Sequence, residues 1–118
     1  MKKVVLVVIT LMLVGCGPKQ QAKLLISSFL DSNLKNTGIQ SLHYSELDST
    51  IYITDSAVMV MRANADTMVN FKHITYEPGK IGNKLIFIHV KYKLKDTPYS
   101  HTFYFDKDLK RVISFKND

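Results

Sequence analysis

Lys84-Leu85-Ile86-Phe87-Ile88-His89-Val90-Lys91-Tyr92-Lys93-Leu94-Lys95 alternates strictly between two kinds of side chain from Ile86 onward. Successive side chains of an extended chain point to opposite faces, so Ile86, Ile88, Val90, Tyr92 and Leu94 share one face. Tyr99 to Phe105 repeats the pattern, with Tyr99, His101, Phe103 and Phe105 together. A two-residue turn at Asp96-Thr97 pairs Lys95 with Pro98. It then sets Leu94 by Tyr99, Tyr92 by His101, Val90 by Phe103 and Ile88 by Phe105. Both apolar sets fall on one face in that register, and a one-residue slip would separate them. A three-residue turn, Asp108-Leu109-Lys110, brings Ile113 to Phe105 and Phe115 to Phe103. Asn70 to Glu77 reads as a further strand ahead of these, ending in loop 78–83. The expectation is a four-stranded antiparallel meander with one apolar face to cover.

The cover comes from upstream. Lys19 to Asn36 places Ala22, Leu25, Ile26, Phe29, Leu30 and Leu34 at three-and-four spacing, with Lys23, Ser27, Asp31 and Lys35 on the other side. Pro18 suits a first helical position, and Gly38 after Asn36-Thr37 suits a stop. Further on, Ile51-Tyr52-Ile53 reads as a short strand, and Leu42-His43-Tyr44 as loop or edge. Thr54 offers an N-cap and Asp55 an acidic first turn. Val58, Met61, Ala65 and Met68 follow at helical spacing; a hairpin competes, and the helix is favoured. The fold class is therefore α+β: an N-terminal helix, with a second helix, packed on a C-terminal antiparallel meander.

Ahead of all this stand Met1-Lys2-Lys3, an apolar run from Val4 to Val14 broken only by Thr10, then Gly15-Cys16-Gly17-Pro18. Eleven residues of helix rise about 16 Å, short of the roughly 20 residues that cross a bilayer. The positive start, short apolar core and small residue before Cys16 are those of a cleaved leader. Leu13-Val14-Gly15-Cys16 resembles the lipobox of bacterial lipoprotein precursors. The resemblance implies that residues 1–15 are removed and that Cys16 is lipidated as the first residue of a single domain, 16–118. Gly17 stands where an aspartate would favour inner-membrane retention, and no acidic cluster follows. That implies a lipid anchor in the outer membrane, facing the periplasm. The order and aromatic character of the later elements look like the small cystatin-like and nuclear-transport-factor-2-like lipoprotein domains of Gram-negative bacteria, folds that carry no single activity.

Charge is uneven. The formal net charge is +6, yet residues 16–70 hold four Lys/Arg against five Asp/Glu, and residues 71–118 hold ten against five. Behind a lipoprotein leader, a basic C-terminal half suits lipid headgroups, an anionic envelope polymer or an acidic protein rather than nucleic acid. Cys16 is the one cysteine, so the domain must hold by packing without disulfides.

No catalytic, cofactor or metal motif is present, since His43, His73, His89 and His101 lack ligand spacing. Two candidate sites remain. On the helix side, Tyr92, Tyr99 and His101 could line a cavity, with the imidazole as a base. No inward-facing carboxylate orients it, so a core histidine satisfied by tyrosine is the better reading. On the outer face, Phe71, His73, Phe87, His89, Lys91, Lys93 and Tyr104 gather aromatic and basic groups as a candidate interface, open to a second copy or an envelope partner. The competing reading is that a loop within the monomer, Ile39 to Leu47, covers this face. The expected function is a non-catalytic, lipid-anchored binding module; the alternative is a small-ligand carrier or small enzyme around His101 and Tyr92.

Overall fold

The structure, a computed structural model, describes the fold of residues 2–36 and 38–118 and the side chains of 17–36 and 38–118. The elements are α1 (Lys2–Asn33), β1 (Ile39–Tyr44), β2 (Asp48–Thr50), α2 (Asp55–Ala65), β3 (Leu85–Leu94), β4 (Thr97–Asp106) and β5 (Val112–Asn117). The fold is α+β, with the N-terminal helix packed on a C-terminal antiparallel sheet. The Cys16 thiol and the side chains of the leader lie outside the described residues, as does Thr37 in the predicted helix stop.

α1 is broken at Gly17 (φ 62°, ψ −175°), a backbone region essentially reserved for glycine. The helical run that packs on the sheet therefore begins at Pro18, the predicted first position. It buries Ala22, Ile26 and Leu30 against Ile88, Val90, Tyr92, Phe103, Phe105 and Phe115. It stops at Asn33, earlier than Asn36, where Asn33 Nδ2 donates to the Phe29 carbonyl at 2.8 Å. Leu34 then leaves the helix to make an isolated bridge with Phe71.

Strand order is β1-β3-β4-β5, and β2 also pairs with β3. Two predicted strands are corrected. Ile51–Ile53 is not extended in the sheet; the pairing residues are Asp48–Thr50 just before it. Asn70–Glu77 is no strand either. Its backbone bonds to the end of α1, with Lys35 N donating to the Asn70 carbonyl at 2.9 Å and Lys72 N to the Asn33 carbonyl at 2.8 Å. The edge of β3 that it would have taken is occupied by β1 along its far half and β2 along its near half. The meander thus has three strands.

The β3–β4 register differs from expectation by two residues: Leu94 opposes Thr97, Tyr92 opposes Tyr99, and Ile88 opposes Phe103. An even shift leaves every side chain on its predicted face. The turn residues are Lys95 and Asp96, both at positive φ (49° and 67°), as a type I′ turn requires for strands of right-handed twist. Lys95 disfavours that region, and Asp96 tolerates it less well than glycine. Lys95→Asn with Asp96→Gly should therefore stabilise the domain by about 1 kcal/mol, read as a higher urea midpoint at unchanged m-value.

Phe103 opposes Phe115 as expected, but Phe105 opposes Val112, not Ile113. A bulge at this step places Val112 in the main core and turns Ile113 to the opposite side. That side carries α2. Thr54 caps it, its Oγ1 accepting from Ala57 N at 3.1 Å, and Val58, Met61 and Ala65 are buried. Val58 and Met61 rest on Leu85, Tyr104 and Ile113, a second core on the outer face of the sheet.

Candidate functional site

α2 divides the outer face in two. On the near half, Tyr104 is only 6% exposed, and Phe87 packs on the same cluster beneath Val58 and Met61. Arg62 Nε donates to the Ile113 carbonyl at 2.9 Å, fastening the helix to β5. Four members of the predicted interface, Phe71, His73, Phe87 and Tyr104, are thus corrected. Phe87 and Tyr104 sit under α2, and Phe71 lies in the main core, edge-on to His101 and tilted against Phe115 at 4.9 Å. The cover is a helix, not the Ile39–Leu47 segment, which joins the sheet as β1. His73 is off the sheet and well exposed, its Nδ1 3.4 Å from Asp66 Oδ1.

The far half is open. Its β3 residues are His89, Lys91 and Lys93, and β1 brings His43 opposite Lys91. A half-open hollow of about 810 Å3 lies here, lined by His43, Lys91, Lys93, Ser100 and Asp118 among others. Asp118 is held from β4: Ser100 Oγ donates to Oδ2 at 2.6 Å, and Thr102 Oγ1 donates to Oδ1 at 2.5 Å. Partial burial pushes the Asp118 carboxyl up, but these two hydroxyls, with His89, outweigh it and hold the group below the usual carboxylate range. His89 Nδ1 lies 2.7 Å from the same Thr102 oxygen. The threonine proton goes to Asp118, so His89 must donate through Nδ1–H, leaving Nε2 facing outward. The Thr102 hydroxyl thus sits between an imidazole donor and a carboxylate acceptor, its oxygen and its proton both engaged. Among the described residues no three His, Cys, Asp or Glu side chains are placed to hold a metal ion.

On the inner face the structure brings Tyr92, Tyr99 and His101 together. His101 is 1% exposed, shares a 2.7 Å hydrogen bond between Nε2 and the Tyr92 hydroxyl, and lies 5.4 Å from the Phe115 ring. Tyr99 stacks on Tyr92 at 5.6 Å and accepts from Asn70 Nδ2. Burial pushes the His101 imidazole down to about 4, against the weaker opposite pull of Asn117 and Asp118. Burial also raises the Tyr92 hydroxyl, with Tyr99 adding to it. Such an imidazole is neutral and a poor proton acceptor near pH 7, where a general base needs a pKa close to the working pH. Its Nδ1 has no hydrogen-bond partner and borders a small hollow of about 130 Å3 beside Asn117 and residues 68–71.

Sequence reasoning missed His43 and Asp118 as site residues. Alternation in β1 hinted at neither, because its register shifts at Ser41 (φ 55°). Asp118 joins only because its backbone N continues the β4–β5 pairing to the Ser100 carbonyl at 3.0 Å.

Fold and site together define a small α+β domain with a helix on each face of its sheet and one open, basic half-face. No family model, curated protein or solved structure matches this chain. Among the described residues no helix is long and apolar enough to cross a membrane.

Proposed function

We propose that this chain is a lipoprotein, anchored through Cys16 in the outer membrane and facing the periplasm, that works as a binding module through the open half of its outer sheet face. The observation that carries the binding role is the hollow itself. The helices and the loop 66–80 bury most other apolar sheet surface, whereas His43, Lys91 and Lys93 stand in the open around one carboxylate, each oxygen of which already accepts a hydroxyl. Two lysines with no ion pair among the described residues suit an acidic protein segment. The anchor is supported by the lipobox and by the short distance between Cys16 and Pro18, where the packed helix begins.

Fatty-acid labelling in cells should tag the wild-type chain and not Cys16→Ser. In the labelled protein, a photo-cross-linking side chain in place of Lys93 should form a discrete adduct. Lys91→Glu should remove that adduct, and a cross-linker at exposed Ser56 on α2 should form none. Absence of label overturns the anchor; label without a Lys93 adduct overturns the binding face. One observation favours a second reading, a carrier of a small ligand: the unpartnered His101 Nδ1 beside its hollow.

A further inference from the structure

The end of the domain where the chain emerges from its tether has a charge pattern of its own. Gln21, in the first turn after Pro18, donates from Nε2 to the Leu109 carbonyl at 3.5 Å. The β4–β5 turn therefore lies beside the start of the packed helix. Loop 80–84 lies against that turn. Arg111 donates to the carbonyls of Glu77, at 2.7 Å, and of Lys80, so its guanidinium stitches loop to turn. Gly79 allows the approach: at φ 145° it has no Cβ, and one would come within 3.0 Å of the guanidinium.

Lys80, Lys84 and Lys107 share a hollow of about 410 Å3 with Arg111, Asp106 and Asp108. Lys80, Lys84, Lys107 and Lys110 are all exposed, and none is ion-paired among the described residues. Of the two acids, Asp106 is spent on the turn, its Oδ1 accepting from Lys110 N at 2.8 Å and Arg111 N at 2.9 Å. Four lysines and an arginine against Asp106, Asp108 and the neighbouring Glu77 leave this pole net positive by two.

We propose that this pole, the β4–β5 turn with loop 80–84, docks on the anionic phospholipid headgroups of the membrane that holds the tether. The inference rests on the lipid anchor at Cys16. Other lysines exist at the far end of the sheet, but position separates the two groups. The surface potential of an anionic leaflet decays over a Debye length of about 8 Å. Lys93 stands nine residues along β3 from Lys84, about 30 Å away, beyond that reach. Docking at this pole also turns the open half of the outer face away from the membrane, toward a partner.

The test uses the full lipidated protein reconstituted in vesicles of phosphatidylcholine, alone or with about one third phosphatidylglycerol. A brief pulse of a water-soluble acetylating reagent is read lysine by lysine by mass spectrometry. Lys80, Lys84, Lys107 and Lys110 should be acetylated several-fold more slowly on the anionic vesicles, and high salt should remove the protection. Lys93 and Lys95 should react equally on both. Lys84→Gln with Lys107→Gln should remove most of the protection at Lys80 and Lys110, since each lysine removed weakens headgroup attraction about fivefold. A protein that floats with both kinds of vesicle but shows equal rates, or protection at Lys91 and Lys93 instead, overturns this proposal and leaves the anchor standing. A protein that fails to float with phosphatidylcholine overturns the anchor and the docking face with it.

Discussion

Tyr104→Ser should cost about 3 to 4 kcal/mol of folding free energy, with Phe87→Ser adding a smaller loss. Seen from the sheet alone, both side chains point away from the main core, and a change there should be silent. α2 reverses that expectation. Tyr104 is closed over by Val58 and Met61 and shares their cluster with Leu85 and Ile113. Truncation removes a ring from a site that cannot collapse, because two of its walls are backbone-paired strands. α2 depends on this cluster more than the rest of the domain does, since an 11-residue helix is marginal by itself. Urea unfolding followed by far-UV circular dichroism gives the global loss, and amide exchange in residues 57–65 should speed up before the sheet is affected. A change below about 0.5 kcal/mol would mean that α2 does not seal this half of the face.

Acid should weaken the domain over a window set by His101. Its imidazole is held to about 4 in the fold against an ordinary value of 6.5. Between those values the unfolded chain takes up a proton that the folded one refuses. The contribution is therefore fully present above pH 6.5 and is lost as pH falls toward 4, roughly 3 kcal/mol in all. Glu46 and Asp118 are held below their ordinary values of 4.5 and 3.8, so their contributions fade only below those values and leave the range from pH 6.5 to 4.5 to His101. His101→Phe should flatten the slope between pH 6.5 and 4.5 whatever it does to stability at pH 7, where it strands the Tyr92 hydroxyl. An unchanged slope in that variant would assign the acid sensitivity elsewhere.

Much of this molecule is legible in one dimension. The period-2 runs of β3 and β4 name their inner faces, and the three-and-four spacing of Ala22, Ile26 and Leu30 names the helix stripe that covers them. Thr54 and Asp55 announce α2, because capping is a local bond between side chain and nearby backbone. His101 paired with a tyrosine also follows from strand alternation, although the true cross-strand partner of Tyr92 is Tyr99 and His101 reaches it from the neighbouring step.

Alternation has a blind spot. It repeats every two residues, so it separates odd slips from even ones and nothing finer. The turn at Lys95-Asp96 was invisible for that reason, since neither residue advertises a positive φ. The stripe on α2 declares that the helix is amphipathic and says nothing about which side of the sheet it covers. The bulge at Ile113 makes that choice by offering an extra apolar residue on the outer face. Phe71 looks like a strand residue, yet its neighbours bond to the end of α1, because β1 and β2 had already taken the edge of β3. Local periodicity and capping are written in residues a few positions apart, and the sequence alone determined them here: the faces of the strands and the helices. Edge occupancy, helix side and the joining of His43 to Asp118 depend on segments tens of residues apart competing for the same hydrogen bonds and the same apolar surface. Only the folded chain resolves that competition.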